Sequence, residues 1–199
     1  MLARLIAIVM MFSAFAASAQ EFKEGVHYKV INGLSETSTP VVREFFSYNC
    51  GHCEKFDPAL EQIMAALGDE VTLKRTPVGF GRDSWKLAAK GYYLTEILGT
   101  NEQMHQAFFN QIHRLGQPFT SEAQLKQFFV SYGVTPEAYD KAADSADLKL
   151  AIADGDSRTT LSQIRGVPSV LVNGKYMVVN PGRTLGDYVE LIKYLISKG

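Results

Sequence analysis

The only two cysteines of the chain stand in Cys50-Gly51-His52-Cys53, at a point where one kind of element gives way to another. Ahead of them, Val41-Val42-Arg43-Glu44-Phe45-Phe46-Ser47-Tyr48 is an apolar, aromatic stretch that reads as a buried strand. Behind them, Phe56, Leu60, Ile63, Met64 and Leu67 recur at helical spacing, which predicts a helix over 54–67. The junction therefore places the pair at the first turn of a helix. Unpaired backbone N–H groups and the positive end of the helix dipole stabilise an anion there. Cysteines in such settings have a pKa lowered from about 8.5 to between roughly 3.5 and 7.5. Cys50 faces the helix start and is the expected nucleophile, with His52, when protonated, as a second positive neighbour. Cys53 lies a turn deeper and is expected to resolve the mixed disulfide that Cys50 forms.

Other uses of the pair fit less well. A structural zinc site wants four ligands, yet no second cysteine pair exists and His27, His105 and His113 are scattered along the chain. A disulfide closing so short a loop removes little entropy from the unfolded chain, so it would be a poor staple. Two unrelated core cysteines would leave the strand–motif–helix context unexplained. Redox exchange is the remaining reading, with no metal.

Residues 1–19 read as a cleaved signal peptide. Arg4 is the positive region, Leu5 to Phe12 the apolar region, and Ala17-Ser18-Ala19 the small-residue cleavage site. The apolar run is short for a membrane span, which needs about 20 residues. Arg4 is the one charged residue in that segment, so the remaining 180 residues carry 19 basic against 21 acidic groups. That balance, without a basic block, excludes nucleic acid as an expected partner and offers no polybasic membrane anchor. An exported, soluble protein is expected, in a compartment where disulfides persist.

The rest of the chain divides by hydrophobic period. Tyr28-Lys29-Val30-Ile31 suits an edge strand, and Glu70 to Val78 a strand parallel to the one at Val41. Glu44 is an acid inside an apolar run. Its functional reading is a partly buried proton relay for Cys53, made tolerable by a cation such as Arg75 on the next strand; an exposed face is the alternative. Pro58 should kink the first helix.

From Asp83 to about Arg165 the pattern is helical. Asp83 or Ser84 caps a helix to Leu98, and Thr100/Gln103 and Ser121/Gln124 form capping-box pairs. Thr135-Pro136 opens another helix, and a last one from Ala146 is weakened at Gly155. Val167 to Val172 then alternates as a strand, Asn173-Gly174 makes a hairpin turn, Lys175 to Val179 pairs back, and Thr184 caps a final helix. The organisation is α/β: a first part at 20–80, an inserted helical domain at 81–160, and a second part at 161–199.

This order, with a C-x-x-C at the first strand-to-helix junction and a proline opening the hairpin strand, resembles the thioredoxin fold. More narrowly it resembles the DsbA family of exported thiol:disulfide oxidoreductases, in which a helical domain interrupts the thioredoxin-like fold. The likeness rests on Glu44-Phe45-Phe46-Ser47-Tyr48, on Cys50-Gly51-His52-Cys53, and on Arg165-Gly166-Val167-Pro168 with Val172-Asn173-Gly174-Lys175-Tyr176. It implies a cis Val167–Pro168 peptide facing the cysteines, Val167 as a redox-tuning position, Glu44 as the family's buried acid, and Arg75 roughly where a basic partner occurs. Gly51 is a departure, since the family's usual dipeptide is Pro-His; Gly-His is typical of disulfide isomerases.

The resemblance implies a donor of disulfides to newly exported polypeptides in the periplasm, using the Cys50–Cys53 disulfide as its only redox group. A membrane-bound, quinone-linked DsbB-type protein would re-oxidise it. An isomerase or reductase, and a chaperone that works without the cysteines, are the alternatives. The expected potential is oxidising, shifted by Gly51 from the family's about −120 mV towards the isomerases' about −180 mV.

Overall fold

The computed structural model describes residues 21–32, 34–37 and 40–199. The expected signal peptide at 1–19 lies outside the described residues. Strands β1 (Tyr28–Val30), β2 (Val41–Phe46), β3 (Thr72–Pro77), β4 (Ser169–Val172) and β5 (Tyr176–Val178) form one sheet in the order β1-β5-β4-β2-β3. Helix α1 (Gly51–Leu67) links β2 to β3, which run parallel with Val41 opposite Thr72 and Phe46 opposite Pro77. The other pairs are antiparallel.

Side chains of a strand point alternately to its two faces. On one face Val42, Val170, Val172 and Tyr176 pack with Ile63 of α1 and with Val189, Leu191, Ile192 and Leu195 of α7 (Leu185–Ser197). On the other, Phe45 and Leu171 cluster with Val78 and with the partly buried Ile164 and Val167. The expected local signals at the hairpin and the last helix are present. Asn173 and Gly174 both take positive φ, 53° and 68°, as the tight turn requires, and Thr184 and Asp187 make a reciprocal capping box.

Between β3 and β4 stand α2 (Asp83–Leu98), α3 (Asn101–Phe109), a π-helical turn (Asn110–Arg114), α4 (Glu122–Ser131), α5 (Pro136–Ala143) and α6 (Ala146–Leu161). Their core of Tyr92, Phe108, Phe119, Leu125, Phe128 and Phe129 is continuous with Phe46, Tyr48 and Cys53. The helical segment and the cysteine motif thus share one interior.

Several local expectations differ in detail. Helix α2 is capped by Arg82, not Asp83 or Ser84, and without a side-chain bond. Thr100 precedes α3 but makes no capping bond; its hydroxyl is buried without a partner, and its φ and ψ of −111° and 8° are not the extended geometry of a box. At α4, Ser121 accepts from the Gln124 amide as expected, but the Gln124 side chain reaches past it to Thr120. Gly155 is a packing site in α6: a Cβ there would lie 1.8 Å from the Tyr93 hydroxyl oxygen.

Candidate active site

Strand β2 ends at Phe46, and the next four residues turn the chain into α1. Cys50 N donates to Ser47 O at 3.0 Å, and Asn49 N to Ser47 Oγ at 3.2 Å. Cys50 is the N-cap of α1, extended at φ −99° and ψ 112°; its carbonyl accepts from the Cys53 and Glu54 amides. Its side chain makes no cap bond, although a first helical turn leaves N–H groups free. Cys50 is half-buried and Cys53 is wholly buried, both as free thiols. Gly51 and His52 form the first helical turn, His52 on its exposed side.

Val167 and Pro168 arrive from the far side of the helical segment. Their peptide bond is cis, and the Cys50 thiol donates to the Val167 carbonyl at 3.4 Å. The half-exposed sulfur therefore lies between a helix start and a backbone stretch 117 residues further on.

Beneath the pair, Glu44 is 1% exposed, and Arg75 Nε donates to its Oε2 at 3.3 Å. Arg75 also donates to Asp57 Oδ1 at 3.0 Å and to Glu61 Oε1. Burial pushes the Glu44 carboxyl up to about 7; Arg75 pulls it down only in part, and the Asp57 charge adds to the rise. Burial also works against the Asp57 charge, but His105 and Arg75 outweigh it and hold that carboxyl below its usual range. The Cys53 thiol is pushed well up, first by burial, with the neighbouring Cys50 and Glu44 charges adding to the rise and the Ser47 backbone opposing it.

Four partners of this site, Asp57, His105, Gln106 and His113, escape a reading of the sequence. Tyr48, buried and stacked on Phe108, shares a 2.8 Å hydrogen bond between its hydroxyl and His105 Nδ1. His105 Nε2 lies 3.0 Å from Asp57 Oδ1, and Gln106 Nε2 donates to Asp57 Oδ2. His113 Nε2 lies 2.8 Å from the Tyr48 carbonyl oxygen. His105 and His113, scattered when taken as zinc ligands, are thus brought to the two ends of one tyrosine. A helical period alone does not align them, because a π-turn intervenes. Among the described residues no group of three or more His, Cys, Asp or Glu is placed to hold a metal ion.

The family description "DSBA-like thioredoxin domain" matches residues 41–188. The thiol:disulfide interchange protein DsbA of Dickeya dadantii is 30% identical, over 97% of this chain and 97% of its own. That of Yersinia pestis is 27% identical at the same coverage of both chains. Among solved structures, DsbA of Pseudomonas aeruginosa superposes with a TM-score of 0.78 at 25% identity, over 89% of this chain and 94% of that one. The oxidoreductase DsbA of Xylella fastidiosa gives 0.75 at 27% identity, over 86% and 94%. With the cysteine pair at the start of α1, the interrupting helices and a match across most of its length, the chain belongs to the DsbA family of thiol:disulfide oxidoreductases.

Proposed function

We propose that Cys50 is the exchanging sulfur and Cys53 its buried partner in an enzyme that donates disulfides to polypeptides. The observation that carries this is the asymmetry of the pair: Cys50 caps the helix half-exposed, while Cys53 is sealed in the shared core with its thiol pushed up. In the oxidised enzyme a substrate thiolate attacks Cys50 Sγ. The Cys50–Cys53 bond breaks and Cys53 leaves as a thiolate, which takes up a proton. A second substrate thiolate then attacks the substrate sulfur of the mixed disulfide, and Cys50 leaves as a thiolate at the helix N-terminus. Two substrate thiols become a disulfide, and the enzyme keeps both electrons as its dithiol.

Glu44 is the proton donor we assign to Cys53. A carboxyl at about 7 is available in both protonation states near neutrality, and its charge acts on the Cys53 sulfur. Arg75 keeps that acid from being driven up further. We place His52, exposed on the first turn two residues from Cys50, beside the leaving thiolate. Gly51 adjoins Cys50 in the chain and the cis Val167–Pro168 segment meets its sulfur, and we assign the backbone there to strand-like pairing with an extended substrate. Residues 20–80 and 161–199 carry this chemistry; 81–160 is the inserted helical domain.

The family resemblance supports a periplasmic location after removal of residues 1–19. It also supports reduced, unfolded exported polypeptides as substrates and a membrane-bound DsbB-type protein as re-oxidant. No helix among the described residues is long and apolar enough to cross a membrane. No cofactor beyond the Cys50–Cys53 disulfide is called for.

The test is the equilibrium of the pair with glutathione, followed by thiol alkylation. A potential above about −180 mV makes the protein a donor, and one near about −270 mV makes it a reductant. Cys50→Ser should abolish exchange; dithiol oxidation that survives this substitution would sink the assignment.

A further inference from the structure

The turn that delivers Cys50 uses the Ser47 carbonyl for its own hydrogen bond. The next carbonyl, that of Tyr48, is taken from outside by His113 Nε2 at 2.8 Å, across 65 residues of sequence. A carbonyl oxygen only accepts, so Nε2 carries the proton in this contact. The same ring borders the motif itself, since a Cβ on Gly51 would lie 3.9 Å from His113 Cε1. Phe109 supports the imidazole from behind, nearly parallel at an interplanar angle of 26°. The other end of Tyr48 is held by His105.

What brings His113 there is the π-turn at Asn110–Arg114. Two turns of an α-helix take about seven residues. His105 and His113 are eight apart, so in a regular helix they would diverge by most of a residue's rotation. The extra residue of the π-turn restores the alignment and lets both rings reach Tyr48. Such a turn gives up regular hydrogen-bond geometry, and here its visible product is the His113 contact.

We propose that His113 is a positioning residue for the Cys50 exchange, a clamp from the helical segment that fixes the cysteine turn and favours the dithiol enzyme. When the disulfide is intact, the Cys50–Cys53 bond itself fixes Cys50. When it opens, the sulfur keeps its place over the helix start and against the Val167 carbonyl only as firmly as the 47–50 turn is held. A contact that matters more in the reduced form than in the oxidised form shifts the equilibrium between them. The proposal rests on Cys50 being the exchanging sulfur.

The experiment is the glutathione equilibrium of the full chain carrying His113→Leu or His113→Gln, with Cys50→Ser assayed beside them. His113→Leu should move the equilibrium about tenfold towards the disulfide form, equivalent to about 30 mV. His113→Gln, which keeps an N–H donor, should stay within about threefold of the parent, or half that interval in mV. An unchanged equilibrium in His113→Leu overturns the clamp, as does a Gln variant displaced as far as the Leu variant. If Cys50→Ser still exchanges, the reading of Cys50 fails and the clamp falls with it; if it is inert, only the clamp is on trial. Should His113→Leu not fold, the unaltered protein decides. The imidazole nitrogen-15 shifts of His113 should differ between dithiol and disulfide forms, and identical shifts overturn the proposal.

Discussion

Glu44 and Arg75 stand opposite one another in the parallel β2–β3 register and meet side chain to side chain at 3.3 Å. The pairing is shared, because the same guanidinium also serves Asp57 and Glu61. One cation among three carboxylates leaves the most buried of them under-compensated. That is why Glu44 holds its proton to about 7 while Asp57, with His105 as a second partner, is held low.

A pH signature follows for Glu44→Gln. The folded carboxyl titrates at about 7 against an ordinary 4.5. The folded state therefore binds this proton more tightly, and the stability that comes with it is full below pH 4.5 and lost as pH rises through 7. The glutamine variant lacks that loss. Relative to the parent it should gain about 2–3 kcal/mol between pH 4 and pH 8. Urea unfolding at the two pH values measures this; a difference between the proteins that does not change with pH would contradict it.

Cys53→Ser should turn the enzyme into a trap. With the buried partner gone, a mixed disulfide at Cys50 cannot be resolved from within, so covalent adducts with a disulfide-containing peptide should accumulate on the half-exposed sulfur. Intact-mass spectrometry would show them, and an adduct-free Cys53→Ser protein would count against Cys50 as the exposed partner.

Gly51→Pro should be accepted without loss. Gly51 is the first residue of α1, where proline is well placed. Cys50 before it already has the extended backbone that a following proline demands. The new Cβ would meet His113 Cε1 at 3.9 Å, an ordinary contact. A gain of about 0.4–1 kcal/mol through the unfolded chain is expected in thermal unfolding of the reduced protein. Destabilisation would show that the turn depends on the freedom of glycine.

Gly91→Ala tests the shared interior. Gly91 is buried in α2, and a Cβ there would lie 2.5 Å from Phe108 Cζ and 3.2 Å from Leu125 Cδ1. Phe108 is the ring on which Tyr48 stacks. The substitution should cost about 1–3 kcal/mol despite alanine's better helix propensity. Equilibrium unfolding checks the sign, and a gain in stability would mean that the packing yields more easily than the distances imply.

Much of this architecture is legible in local chemistry. The apolar run before Cys50, Asn173-Gly174 and Thr184 announce their elements through short-range rules, and the strand–helix–strand spacing makes Arg75 a candidate cation on the strand next to Glu44, with the pairing itself set by the β2–β3 register. Glu44 stands out locally as an acid inside an apolar run, whereas the cis bond at Val167–Pro168 is implied by family likeness rather than by spacing. Asp57, His105 and His113 stayed hidden because their partners are distant in sequence and a π-turn breaks the periodicity that would have aligned the histidines. Thr100 and Gly155 show the opposite failure. Each carries a strong local signal, a cap and a weak point, that packing puts to a different use.

The place of β4 in the sheet sets a timetable. It lies between β2 and β5 but is made only after the whole of α2–α6. A ribosome therefore releases both cysteines and the helix behind them long before Val167 exists to face Cys50. Through that interval β2 lacks its β4 neighbour, and the half-finished chain carries the cysteine pair without the Val167 carbonyl that Cys50 meets in the finished fold. The contact between Cys50 and the Val167 carbonyl is thus a late product of synthesis, made by two halves of the fold that leave the ribosome more than a hundred residues apart.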